Sequence, residues 1–163
     1  MLIETRPPTD PELAALLTAQ QRERGGTDEV DPMPTARYVV AVVDGRAVAC
    51  GAVRVLDAQT AELMRMYVRP AYRGRGIARR LLTALEELAL AGGQPVVRLE
   101  AGEFRYSEIA FYTAAGYAPV PAYGAKGCFE KRLPVPIGPP VPIGPPVPVR
   151  RPDGHDARPA GRA

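Results

Sequence analysis

The chain has 163 residues, enough for one domain with a usable core. Its 46% apolar content argues against wholesale disorder, and no run approaches the roughly 18 apolar residues of a membrane helix. Net charge is +3, but only +1 up to Leu133, where 17 basic residues stand against 16 acidic ones; that balance does not describe a dedicated nucleic-acid binder.

The opening MLIETRPPTD lacks a basic start followed by an apolar block. No signal peptide and a cytoplasmic location are therefore expected. Leu2 to Thr5 suits a short strand. Thr9-Asp10-Pro11-Glu12 reads as a helix start, with a capping side chain, proline at the first helical position and an early acid. Leu13, Leu16 and Leu17 make its apolar stripe, and Gly25-Gly26 stops it. Thr27 to Thr35 is an acidic, proline-broken loop. Tyr38–Val43 and Arg46–Leu56 are β-rich runs around Asp44-Gly45, a favoured two-residue hairpin turn. Asp57-Ala58-Gln59 turns the chain into a third run, Thr60–Val68, which Arg69-Pro70 ends.

A strongly amphipathic helix follows. Ile77, Ala78, Leu81, Leu82, Leu85, Leu88 and Ala89 repeat at helical spacing, and Gly92-Gly93 closes it. Val96–Ala101 reads as a buried strand, so strand, helix and strand make a βαβ unit with parallel strands. A shorter helix, Ser107–Ala115, stops at Gly116. Tyr117–Val120 and Gly127–Leu133 close the domain. The tail repeats PVPIGP at 134–139 and 140–145, too proline-dense for a helix or a central strand. Its polar end, RRPDGHDARPAGRA, is expected to be disordered and holds the one histidine, His155. Cys50 and Cys128 lie in apolar stretches without metal or redox spacing and are expected to be buried, reduced thiols.

Six arginines, Arg65, Arg69, Arg73, Arg75, Arg79 and Arg80, crowd the strand end and the start of the long helix. A helix N-terminus carries unpaired N–H groups and partial positive charge. Glycines let the preceding backbone curl so that further N–H groups converge, and arginine adds charge matched to phosphate. Arg73-Gly74-Arg75-Gly76-Ile77-Ala78 has all these parts and reads as a phosphate cradle. It is not a Walker loop, because Gly76 precedes Ile77 rather than Lys. A dinucleotide fingerprint would need glycine where Arg79 stands. A plain basic loop is the remaining alternative.

Arg73-x-x-Gly76-x-Ala78 resembles the Q/R-x-x-G-x-G/A pattern of the GNAT N-acetyltransferases. Met66-Tyr67-Val68-Arg69-Pro70 resembles the strand that leads into that family's loop. RLEAGEFRYSEIAFYTAAGYAPV, with Tyr112 and Gly116-Tyr117, resembles its next segment, and GCFEKRL its last strand. The likeness runs from Leu2 to Leu133 in element order, with the specific motifs between Glu62 and Tyr117.

The resemblance implies a mixed α/β fold: a mostly antiparallel mixed sheet with a central parallel βαβ pair splayed at the cofactor site. It covers a domain of residues 1–133, and the Pro-rich stretch 134–163 is left as a tail. Acetyl-CoA is implied as co-substrate, lying between Thr60–Val68 and Val96–Ala101, with its diphosphate on the backbone from Gly74 through Arg75, Gly76 and Ile77 to Ala78. Arg73 belongs to the same motif. Met66 and Val68 would offer backbone groups to the pantetheine arm. Arg105 stands where the family often has Asn or Gln and becomes a further cofactor contact. Transfer to an amine asks for a base, for which Glu62 is the candidate and Glu100 the second choice. An N–H near Met66 would face the oxyanion, and Tyr112 would protonate the departing thiolate. Neither cysteine has a base nearby in sequence, so no covalent enzyme intermediate is expected, and no metal.

The acceptor expected is a small-molecule amine, with a peptide N-terminus and a protein lysine left open. So is a non-catalytic acyl-CoA-binding role. No nucleic-acid or membrane partner is expected, a homodimer is left open, and the Pro-rich tail is a candidate ligand for a protein partner.

Overall fold

The apolar runs on either side of Asp44-Gly45 fold as a hairpin, β2 (Arg37–Val43) with β3 (Arg46–Val55). Asp44 and Gly45 both take positive φ, 49° and 76°, as a turn matched to strand twist requires. The computed structural model describes residues 1–101, 106–121 and 127–135. Around the hairpin lie β1 (Leu2–Arg6), α1 (Pro11–Glu23), β4 (Thr60–Val68), α2 (Ile77–Ala91), β5 (Val96–Ala101), α3 (Tyr106–Ala114), β6 (Ala118–Val120) and β7 (Gly127–Arg132). The seven strands form one sheet in the order β1-β2-β3-β4-β5-β7-β6. Every neighbouring pair is antiparallel except β4 with β5, the parallel pair of the βαβ unit.

Each face of the sheet receives one long helix. Asp10 starts α1, its carboxylate accepting the Leu13 N–H at 2.9 Å. Leu13, Leu16 and Leu17 then pack against Tyr38, Val40, Cys50 and Tyr67. On the opposite face α2 lays Ile77, Leu81, Leu82 and Leu85 on Val39, Val53, Leu63, Val97 and Leu99. Each such fully buried side chain stabilises the fold by about 2 kcal/mol, an upper figure because an unfolded chain already shields some apolar surface. Away from the two register shifts, strand residues alternate between these two cores.

Element ends fall within one or two residues of the sequence expectations. Cys50 is buried, as expected. Cys128 is only half-buried, contrary to expectation, because β7 places it along a cavity with Glu62 and Arg98. Its apolar neighbours in sequence gave no indication of which strand face it would take. The repeated PVPIGP tail from residue 136 and His155 lie outside the described residues. No described helix is long and apolar enough to cross a membrane.

Candidate active site

The parallel pair does not stay paired. Thr60, Ala61 and Glu62 register with Val96, Val97 and Arg98, and there the pairing ends, although β4 continues to Val68 and β5 to Ala101. The strands part just where β4 is irregular. Cys50 faces Tyr67 and Ala52 faces Met64, so β4 carries one extra residue opposite Gly51. Arg65 sits in this bulge at φ 57°, a left-handed conformation that costs a non-glycine residue about 1–2 kcal/mol. A bulge bends and twists its strand, which carries the rest of β4 away from β5.

Several contacts hold the bulge. The Cys50 thiol donates to the Arg65 carbonyl at 3.5 Å, and Gln20 Nε2 donates to the Met66 carbonyl at 2.9 Å. Gly51 is needed by its neighbours: a Cβ there would lie 2.6 Å from both Leu85 Cδ1 and Met66 Sδ. Beyond the bulge the Arg69 N–H bonds the Val48 carbonyl. Ala49 and Val68 are then the non-hydrogen-bonded pair, so the Val68 N–H and C=O point away from β3, into the gap. The side chains of Met66 and Val68 pack on the α2-side core.

The loop between β4 and α2 begins with a helical turn at Pro70–Tyr72 and ends in two glycines, Gly74 and Gly76, both at φ 76°. A Cβ on either would meet nothing within 4 Å, so backbone conformation alone calls for glycine. Gly76 is the N-cap of α2, and no side chain caps that end; no acidic residue lies in the first turn. The early N–H groups of α2, with Ile77 buried and Ala78 half-buried beside them, therefore remain open to an anion.

Arg73 is already engaged: its Nε donates to the Val68 carbonyl at 2.9 Å and its terminal nitrogen reaches both Glu23 oxygens at 2.7 Å. It also lies 5.7 Å over the Tyr67 ring, whose hydroxyl burial and the Glu23 carboxylate push up. Arg75 stacks 5.2 Å over Tyr72. Arg75, Arg79 and Arg80 are exposed and form no ion pair with the described residues.

Tyr112 and Glu62 lie on opposite faces. Tyr112, on α3, is buried in the α2-side core, edge-on to Phe111 at 5.0 Å and Tyr117 at 5.7 Å. Burial, reinforced by Glu108, pushes its phenol above the usual tyrosine range. Glu62 shares the α1 face with Arg54, whose Nε donates to it at 2.6 Å. A cavity of about 240 Å³ opens there, and Glu100 lines it too. Arg105 lies outside the described residues. Cys50 is buried, and that burial raises its thiol to about 12, which disfavours the nucleophilic thiolate form.

Sequence reasoning missed Gln20, Glu23, Arg54 and Arg98. Gln20 had a signal: it continues the Leu13, Leu16, Leu17 stripe with a polar side chain, and it is buried with its Oε1 unpartnered among the described residues. The other three become visible only once strand register and helix placement are known.

The profile of the Acetyltransferase (GNAT) family matches residues 4–117. An "IAA acetyltransferase" of Azospirillum brasilense is 37% identical over 95 residues, 58% of this chain. The match spans 62% of that relative's length. A Klebsiella pneumoniae structure assigned as an acyl-CoA N-acyltransferase is 31% identical, with a TM-score of 0.71 over 81% of this chain and 97% of the other. A GNAT family acetyltransferase of Elizabethkingia anophelis, solved with acetyl-CoA bound, shares the fold at 16% identity, with a TM-score of 0.60 over 80% of this chain and 98% of that one.

Proposed function

The chain belongs to the Acetyltransferase (GNAT) family, and from that premise we propose that it moves the acetyl group of acetyl-CoA to the primary amine of a small molecule by direct attack. The observation that carries this reading is the parting of β4 and β5 after Glu62 and Arg98. It leaves a slot through the sheet that ends, along β4, at the uncapped start of α2. The early N–H groups of α2, with Gly74 and Arg75, would hold the diphosphate, and the Val68 N–H would meet the pantetheine arm. The slot also gives one reacting centre access to both faces, and so to Glu62 on one and Tyr112 on the other.

The chemistry then follows. A primary amine with an ordinary pKa of about 10.4 must lose a proton to attack. Glu62 takes that proton, directly or through water. A C–N bond forms, and the carbonyl oxygen, gaining negative charge, draws on an N–H beside Met66. The C–S bond breaks, the thiolate takes a proton from Tyr112, whose burial keeps it protonated, and the second proton leaving the new amide nitrogen passes, directly or through water, to the Tyr112 phenolate. The "IAA acetyltransferase" relative supports a small-molecule acceptor. Incubation with acetyl-CoA and a panel of amines, following free CoA, tests the reading. Amine-dependent CoA release is expected; binding of acetyl-CoA without release on any amine would remove the catalytic claim.

A further inference from the structure

One row of charge crosses the sheet on the α1 face. Arg54, Glu62, Arg98 and Glu130 are successive register partners on β3, β4, β5 and β7, alternating in sign. Arg54 and Glu62 pair at 2.6 Å, and Arg98 and Glu130 at 3.0 Å. Glu100 lies two residues beyond Arg98 and so shares its face. The cavity beside Glu62 is lined by Arg54, Arg98 and Glu100, with Leu56 and Cys128 among the others.

The hydrogen-bonding capacity left over is lopsided. A guanidinium has five N–H donors. Arg54 spends its Nε on Glu62 and Nη1 on Met33 Sδ, and Arg98 spends Nε and Nη2 on Glu130. Each therefore keeps one whole terminal NH₂ group, Nη2 of Arg54 and Nη1 of Arg98, uncommitted among the described residues. Both carboxylates of the row are taken; of the two carboxylates that line the cavity, Glu62 and Glu100, the second has no ion-pair partner among the described residues. Two uncommitted terminal NH₂ groups, one from each arginine, and one open carboxylate complement a ligand with one anionic acceptor group and one amine. A polyamine would need several open carboxylates, and a protein lysine supplies no anion.

We propose that the acceptor is an amine bearing a carboxylate on the same molecule, as a free amino acid does. Its carboxylate sits on Arg54 and Arg98, and Glu100 attracts its ammonium group. The amine is thereby held beside Glu62, where β4 and β5 part. This rests on the acetyl-transfer reading and adds the acceptor class to it.

The test uses matched pairs: leucine with isoamylamine, phenylalanine with phenethylamine, arginine with agmatine, each followed by free CoA release with the full chain. The amino acid of at least one pair is expected to be favoured about tenfold or more in kcat/KM. Arg98→Gln should bring that ratio toward one, and Arg98→Lys should keep more of it. Because the ratio is read within one preparation, partial loss of folded protein cancels. If the decarboxylated amine is the equal or better acceptor in every pair, the inference is overturned while acetyl transfer stands. If acetyl-CoA binds and no member of any pair accepts an acetyl group, both fall.

Discussion

Glu62 and Arg98 are the last partners that β4 and β5 share, and the point where they meet divides a closed sheet from an open one. On one side of it lies an uninterrupted ladder; on the other, six more residues of β4 run to Val68, about 20 Å, without a β5 partner. The cause is local. One extra residue at Arg65 and Met66 turns β4, and Cys50, Gly51 and Gln20 hold it in that shape from three positions. A backbone irregularity thus becomes a slot with a charged row at its vertex and, at its far end, a helix start without a side-chain cap.

Gly76→Ala tests that far end. The substitution forces alanine to φ 76° with no steric contact to relieve or worsen it, costing about 1–2 kcal/mol of conformational energy. Gly45 has the same φ and the same empty surroundings, but lies in the β2–β3 turn. Both variants should melt earlier by similar amounts. Only Gly76→Ala should weaken acetyl-CoA binding, by about tenfold in calorimetric titration. Equal affinity in the two variants would show that the α2 start does not hold the ligand.

Tyr112→Phe separates catalysis from packing. Phenylalanine keeps the edge-on contacts to Phe111 and Tyr117 and removes only the hydroxyl. If Tyr112 protonates the leaving thiolate, kcat should fall about a hundredfold while acetyl-CoA affinity stays within twofold. An unchanged kcat in stopped-flow measurement of CoA release would leave Tyr112 as a core residue.

What the sequence disclosed divides along the range of the interactions. Local signals held: Asp10 caps α1, Asp44-Gly45 turns the hairpin, and Gly76 starts α2, each set within a few residues. Register was beyond their reach. Nothing in the sequence places Arg54 beside Glu62 or Glu130 beside Arg98, because each pairing depends on where two distant strands align, and the bulge at Arg65 shifts one alignment by a residue. The insertion of β7 between β5 and β6 was equally hidden, since chain order would have put β6 next to β5. The engagement of Arg73 by Glu23 joins residues 50 positions apart that no local pattern links.

Gly51→Ala should disturb the bulge from beneath. Leu85 and Met66 both occupy the space a methyl group would take, at 2.6 Å, and neither belongs to a surface free to move far. Overpacking of this kind costs about 1–3 kcal/mol. The urea midpoint should drop with the slope unchanged, and kcat/KM should fall further than the loss of folded protein explains, because Met66 borders the slot. A variant as stable and as active as the parent would contradict the close packing.

Alkaline pH should expose the burial of Cys50. Its thiol rises from 9.0 to about 12, chiefly because the anion would be desolvated. Above pH 9 the unfolded chain therefore releases this proton while the folded chain keeps it, so the unfolded state binds fewer protons and stability falls as pH rises. Below pH 9 the contribution is intact; it is lost progressively toward pH 12, at no more than about 1.4 kcal/mol per pH unit. Tyr112 and Tyr117, both pushed up mainly by burial, act in the same direction from pH 10 upward. Melting temperatures should be level from pH 7.5 to 9 and decline by pH 10.5, with a shallower decline in Cys50→Ala. A thiol reagent should modify half-buried Cys128 in the native protein at pH 8 and leave Cys50 untouched until the chain unfolds. Two fast-reacting thiols, or a melting curve that stays level to pH 10.5, would mean that Cys50 is not sealed beneath the bulge.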